Sequence, residues 1–474
     1  MIERIQDSGE KDESIFFLFG GLFFLCWLLT SHLNCDVLIA CGWLAFGVWI
    51  IYCRPNFFIR YVLLFFWLGA NLAGVFICEN MNLWLDELEL RTHHADSMGL
   101  IGFAWFLWMA TVFLLDRRFP FRLGEDGGKY AWKITWHGKE INILSFVPYL
   151  MIVALVILFF HVWNHPVFLE HIDRFVFKKK YLDGIWNNLA NLCHFLVPLF
   201  LVQHFRTNKR WLMILLGFYA VFLFWTGEKF GKYWDMFVCG CLLFSVFSEG
   251  APVEQLRRKI LLVIGGIILL FGITFAHRMV MYPNKAFMDY FYQRMAQQGQ
   301  LWWRTYDLEK NGSFRFAELA DETAVFFRTN DANEKRYRHG IYKIMRYVTP
   351  NDLFQQKVET GSVFSTSNHA TYFYYFKEWG VLLLSVVSGI VMWGMIRIWL
   401  YCAANGFIAE TILATRLLTL AGGLLMMSRL YELFAYKGMA YVLILMFLLL
   451  LRHRWQRRDT DYRPKMPSEI SRFI

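Results

Sequence analysis

Apolar runs of membrane-spanning length recur along the whole of this 474-residue chain, and that recurrence constrains its fold more than any other feature. A helix needs about 20 predominantly apolar residues to cross a hydrocarbon core of ~30 Å. Such runs are read near 15–31, 35–53, 56–78, 99–115, 141–163, 186–203, 211–226, 233–248, 259–275, 380–400, 411–427 and 437–451. In lipid the backbone has to satisfy its own hydrogen bonds, which long apolar runs do as helices. Composition agrees, because 57% of the residues are hydrophobic and only 18% charged, too few charges to cover a soluble domain of this length. The expected fold is an all-α polytopic membrane protein of about twelve transmembrane helices.

The N-terminal peptide MIERIQDSGEKDES is polar and mixed in charge, unlike the basic leader of a signal peptide. The run after it has no small-residue cleavage site, so it reads as a retained first span. The nine cysteines lack C-x-x-C spacing and mostly sit inside apolar runs, as small buried hydrophobes rather than a disulfide framework. Twelve spans would put both termini on one side. Cations gather in CRPNFFIR, DRRFPFRLGEDGGKYAWKITWHGK, RTNKR, EQLRRK and the tail RHRWQRR, which the positive-inside rule makes cytoplasmic. The net charge of +10 is therefore read as topology, not as a nucleic-acid surface. The expected organisation is helices one to nine within 1–275, a large outward loop over 276–379, helices ten to twelve within 380–451 and a basic tail over 452–474.

That outward loop is too long for a simple connector, and AFMDYFYQRMAQQGQLWWRTY within it has amphipathic helical spacing. Polar groups gather at the same expected face. Asn187, Asn191 and His194 lie at i, i+4 and i+7, one helical face, where interhelical hydrogen bonding competes with substrate contact. Lys229 and Lys232 follow span seven. Arg278 ends span nine, Arg294 and Arg304 lie among loop aromatics, and Arg429 follows span eleven. Singly, each suits an anionic lipid headgroup. Together, cations from separate segments suit a phosphate or diphosphate, with Arg offering a fork and Lys a point charge.

Metal centres are not expected. In THHAD the adjacent His93 and His94 point apart on any regular element, and Asp96 adds little. The stretch DLEKNGSFRFAE, residues 307–318, has the spacing of an EF-hand loop, but Glu309 is long for its position, Arg315 is cationic, and no second copy exists; a polar turn ahead of a helix is the default. No G-x-S-x-G, Walker A, G-x-G-x-x-G or H-E-x-x-H motif occurs.

Thr366-Ser367-Asn368-His369, then a run of aromatics, then Glu378-Trp379-Gly380 leading into an apolar helix, resembles the closing signature of the Wzy-type O-antigen polymerases, which polymerise oligosaccharide repeat units. The related O-antigen ligases share it. The turn Thr226-Gly227-Glu228-Lys229 is similar to the small-residue-plus-cation turn of those enzymes, with Lys229 where Arg is commoner. The resemblance implies a GT-C-like, metal-independent glycosyltransferase without cofactors. It would work at the periplasmic face of a bacterial inner membrane on undecaprenyl-diphosphate-linked oligosaccharides, among membrane lipids and beside a flippase and a chain-length regulator. On it, His369 is the general base or hydroxyl-orienting group. Arg278, Arg294, Lys229 and Arg429 hold the diphosphate, with Lys232, Arg304, Asn191 and His194 around the substrate. Trp302, Trp303, Tyr372 and Tyr374 would stack on sugars. The alternatives are a ligase that transfers glycan to lipid A core and a lipid-linked oligosaccharide flippase; the latter fits less well, because the cations gather at one face and the halves show no repeat.

Overall fold

The computed structural model describes residues 2–121, 133–136, 139–167, 174–228, 231–248, 251–281, 287–319, 340–360, 363–365, 368–428 and 436–461. Every apolar run falls on a helix. In chain order these are α1 (Ile2–Leu29), α2 (Asp36–Cys53), the short α3 (Pro55–Arg60), α4 (Val62–Asn80), α5 (Met98–Arg118), α6 (Val147–Val162), α7 (Arg174–Tyr181), α8 (Ile185–Thr207), α9 (Trp211–Trp225), α10 (Gly231–Phe247) and α11 (Val253–Met281). The loop segment contributes α12 (Phe287–Ala296), α13 (Gln300–Glu309), α14 (Gly340–Val348) and α15 (Asn351–Thr360); the chain closes with α16 (Asn368–Ala404), α17 (Ile408–Met427) and α18 (Tyr436–Asp461). Two antiparallel hairpins, Trp84–Leu85 with Leu90–Arg91 and Lys133–Trp136 with Lys139–Asn142, are the strands among the described residues.

Six described stretches are long and apolar enough to cross a membrane: Asp36–Cys53, Val62–Asn80, Met98–Arg118, Leu144–Val162, Ile185–Thr207 and Asn368–Ala404. Their outer faces carry bare apolar side chains, as helices in lipid must: Phe160 is 82% exposed, Leu44 72% and Leu383 65%. Two helices differ from the sequence reading. The expected span at 56–78 is broken, because Tyr61, whose hydroxyl bonds Asp116, leaves helical geometry and α4 restarts at Val62. The span expected to begin at 380 continues a helix that starts at Asn368, with Lys377 standing in non-helical geometry at a kink.

Hydrogen bonds between helix ends fix their directions. At one end Arg60 donates to both oxygens of Asp116 at 3.0 Å, Tyr61 donates to Asp116 at 2.8 Å and Arg397 at 2.7 Å. Arg60 also reaches Ser245 near the end of α10, and Arg206 near the end of α8 donates to the Ala404 carbonyl that closes α16. So α5, α8, α10 and α16 finish together at this end and α4 begins there. Their opposite ends gather Glu79, Ser97, Asn191, Lys232 and Asn368.

The loop segment sits on that second end as a folded body. Its core holds Leu301, Trp303, Ile341, Ile344, Met345 and Tyr375, packed with Ile77 and Cys78 of α4. The docking point is a backbone approach at Gly74 and Gly299: a Cβ on Gly74 would stand 2.5 Å from the Gly299 nitrogen, and one on Gly299 would collide with Val75. Asn71 beside them donates to the Gln298 carbonyl at 2.7 Å. Only glycine lets two backbones lie that close, so sequence at positions 74 and 299 sets how the body seats on the bundle.

Candidate functional site

At the end of the bundle that carries the body, α8 presents Asn187, Asn191 and His194 on one face, as their spacing requires. Asn191 donates to Asn187 at 3.4 Å and accepts from the Lys232 ammonium at 3.2 Å. One turn deeper, His194 Nε2 lies 3.2 Å from Asp235 Oδ2 of α10, with His194 buried and Asp235 partly open. His194 Nδ1 is buried without a hydrogen-bond partner among the described residues. Beside this group Lys178 of α7 pairs with the buried Glu228 at 2.8 Å.

Lys232 is the second residue of α10, at the end of that helix where the dipole is positive. Among the described residues its bond is to a neutral amide, and no carboxylate forms an ion pair with it. A lysine at a helix start, bonded to a neutral amide, can turn its ammonium to an incoming anion. In the neighbouring His194–Asp235 pair the carboxylate orients the imidazole through Nε2 and leaves Nδ1 without a partner among the described residues.

The other predicted residues go elsewhere. His369 is 2% exposed and packs among the rings of Trp105 at 4.9 Å, Trp108 at 5.9 Å, Tyr372 at 6.1 Å and Trp302 at 6.3 Å. Its Nε2 and both side-chain polar atoms of Asn368 are buried without hydrogen-bond partners among the described residues. Arg304 pairs with Asp307 at 2.7 Å, whose other oxygen faces His93 at 3.1 Å. Arg294 is exposed and donates to Gln297 at 2.6 Å. The structure thus brings Lys232, Asn191 and His194 together and keeps Arg294, Arg304 and His369 in separate surroundings. Lys229, Arg429 and the side chain of Arg278 lie outside the described residues.

The aromatic residues expected to stack on sugars are interior instead. Trp302, Trp303 and Tyr374 are buried, with Trp302 donating to the Ser97 carbonyl at 3.0 Å, Trp303 to the His93 carbonyl at 2.9 Å and Tyr374 to Glu318 at 3.0 Å. Tyr372 shares a 2.9 Å bond with Ser388. A ring whose polar tip is already bonded inside the protein is packing, not a sugar platform.

The calcium-like spacing at 307–318 does not form a calcium loop, since 307–309 complete α13 and the Glu309 carboxylate is occupied by Lys377, Arg315 at 2.5 Å and Tyr347 at 2.6 Å. It lines an open cavity of about 640 Å³ with Gly312, Ser313, Arg315 and Glu318. Burial works to raise the Glu309 pKa, but hydrogen bonds from Lys377, Tyr347 and Arg315 outweigh it and hold the carboxyl below its ordinary range.

Sequence reasoning passed over Asp235, although a lone carboxylate in the apolar run KYWDMFVCGCLLF is itself a signal. It also missed Asp36 and Glu79, whose partner His94 is remote in sequence.

The model of a family described only as a family of unknown function, DUF6418, matches residues 334–442, which include Asn368, His369 and the whole of α16 and α17. Neither the curated proteins nor the solved structures contain a match to this chain.

Proposed function

We propose that the protein is a membrane glycosyltransferase that polymerises undecaprenyl-diphosphate-linked oligosaccharide repeat units into a surface polysaccharide of O-antigen or capsule type. The reading includes twelve spans, a GT-C-like arrangement, a bacterial inner membrane with both termini cytoplasmic, and a folded body on the periplasmic side. The observation that carries it is Lys232: a cation at a helix start, bonded to Asn191 and next to the His194–Asp235 pair.

In the proposed reaction a hydroxyl of one lipid-linked glycan attacks the anomeric carbon of another. The new glycosidic C–O bond forms as the bond to the diphosphate breaks. Lys232 and the first amides of α10 neutralise charge on the departing diphosphate, and His194 takes the hydroxyl proton while Asp235 steadies the imidazolium. The base role that the family resemblance implies for His369 is proposed instead for His194, because His194 has a carboxylate partner and a cation beside it. Lys229, Arg278 and Arg429 remain proposed as further diphosphate ligands. Chain-length regulator and flippase are the proposed partners.

The test is genetic. In a strain lacking the native protein, wild type should restore long glycan ladders, while Lys232→Met and His194→Phe should yield single-repeat product with export intact. Normal ladders from both variants would refute the reading. Accumulated lipid-linked polymer without core-attached glycan would place the chain with the ligases.

A further inference from the structure

One imidazole and three carboxylates meet where α2, α4 and the segment entering α5 converge. Asp36 opens α2, Glu79 lies at the end of α4, and His94 and Asp96 precede α5. His94 Nδ1 is 3.3 Å from Glu79 Oε2 and 3.7 Å from Asp36 Oδ2; its Nε2 is 3.0 Å from Asp96 Oδ1. One donor atom from each of Asp36, Glu79 and His94 falls within 4.8 Å of the others. Ligands at ~2.0–2.2 Å from one ion stand at most about 4.4 Å apart, so small side-chain adjustments close the site.

Charge and hydrogen bonding point to a cation there. The side chains of Asp36 and Glu79 are 0% exposed, and among the described residues their ion pairs are with His94 alone, with no Lys or Arg. Glu79 is fixed by the Ala95 amide at 2.5 Å and by the amide and hydroxyl of Ser97 at 2.8 and 2.5 Å. Asp36 accepts from Asn80 at 3.0 Å through Oδ2, while its Oδ1 is buried and has no donor among the described residues. Two adjacent buried carboxylates either take up protons or meet a compensating charge, and the orphaned Oδ1 leaves a ligand atom free for a cation. An imidazolium supplies one positive charge and already turns its second nitrogen to Asp96. A divalent ion supplies two.

We propose that Asp36, Glu79 and His94 bind a first-row divalent cation of the Mn²⁺ or Zn²⁺ class. Carboxylate oxygen together with imidazole nitrogen suits those ions, whereas Ca²⁺ and Mg²⁺ take oxygen donors. The ion is structural. The segment that bears His94 also receives Trp302 at the Ser97 carbonyl and Trp303 at the His93 carbonyl, so the ion ties α2 and α4 to the seat of α13 and of the body above it. This site stands apart from the Lys232 cluster and does not depend on the reaction proposed for it.

The test uses the purified full-length protein in detergent, stripped with chelator and then offered Mn²⁺ or Zn²⁺, with Ca²⁺ and Mg²⁺ as comparators. Wild type is expected to retain one Mn²⁺ or Zn²⁺ per chain through gel filtration and to melt at a temperature that rises with that ion's concentration. His94→Gln, at an exposed position, and the near-isosteric Asp36→Asn should lose both responses. No retained metal in wild type overturns the proposal, and this holds even where a variant fails to fold. Equal retention in wild type and both variants overturns it too. So does His94→Lys melting as high as wild type in its metal, since a fixed cation would then be all the cluster needs.

Discussion

Lys377 stands at φ 54°, ψ −152° inside α16 and places its ammonium on the Glu309 carboxylate at the end of α13. A non-glycine residue in that region costs about 1–3 kcal/mol, so the surroundings must hold it there. The partner is a carboxylate 2% exposed, also bonded to Arg315 and Tyr347. Removing one member of a buried pair costs up to about 3–5 kcal/mol, and less here because Arg315 still holds the carboxylate, yet the loss exceeds the lower end of the strain. Lys377→Gly should therefore lower stability by no more than about 2 kcal/mol although it relieves the backbone, as read by thermal unfolding in detergent. A stabilised Lys377→Gly protein would show that the strain outweighs the pair.

Gly380 lies one turn past that kink, and a Cβ there would collide with Cβ of Phe376, a backbone-anchored atom that cannot swing aside. Gly380→Ala should lose more than the ~1 kcal/mol that a glycine-to-alanine change normally returns to a helix, with a lower melting temperature as the readout.

Acid should loosen the body before the bundle. For Glu309 and Glu318 burial acts to raise the pKa. It is outweighed for Glu309 by Lys377, Tyr347 and Arg315, and for Glu318 by Lys343, Tyr374 and Arg315, leaving both below the ordinary glutamate value of 4.5. A carboxyl depressed in the folded state contributes its stability fully above its unfolded pKa and loses it as pH falls through the folded pKa. Stability should thus be flat near neutrality and fall below pH 4.5, and Glu318→Gln should flatten that fall. Melting curves across acid pH check it; an unchanged slope in Glu318→Gln would contradict it.

At the other end of the bundle, Asp116 is the shared acceptor of Arg60, Arg397 and Tyr61. Asp116→Ala leaves Arg60, whose side chain is 5% exposed, without a carboxylate. The expected loss is about 3–5 kcal/mol, seen as a large drop in the denaturant midpoint; a loss under about 1 kcal/mol would mean the arginines find other partners.

His369 offers a test that separates packing from chemistry. A buried nitrogen without a partner costs about 1–3 kcal/mol, so His369→Phe should leave stability equal or higher and keep glycan ladders. A folded His369→Phe protein without ladders would return the base role to His369.

The helices were legible because apolar period and length are local properties, and every run read from sequence falls on a helix. The kinks at Tyr61 and Lys377 were not, because they answer to contacts made far away in the chain. The face shared by Asn187, Asn191 and His194 followed from spacing alone, but its partners Lys232 and Asp235 come from another helix. Adjacent His93 and His94 do diverge, one to Asp307 and the other to Asp36 and Glu79; no spacing rule joins residues 36, 79 and 94. The aromatic residues of the loop misled for the same reason, since composition does not tell an exposed platform from a core.

The central claim is transfer between lipid-linked glycans at Lys232, and reconstitution tests it most directly. Purified protein in vesicles with a polyprenyl-diphosphate-linked repeat unit should yield longer lipid-linked glycans and one free polyprenyl diphosphate for each bond made. Lys232→Met should lower the rate by roughly a hundredfold or more, with Lys232→Arg restoring part of it. No extension by the wild-type protein, or the same rate from a folded Lys232→Met protein, would contradict the account.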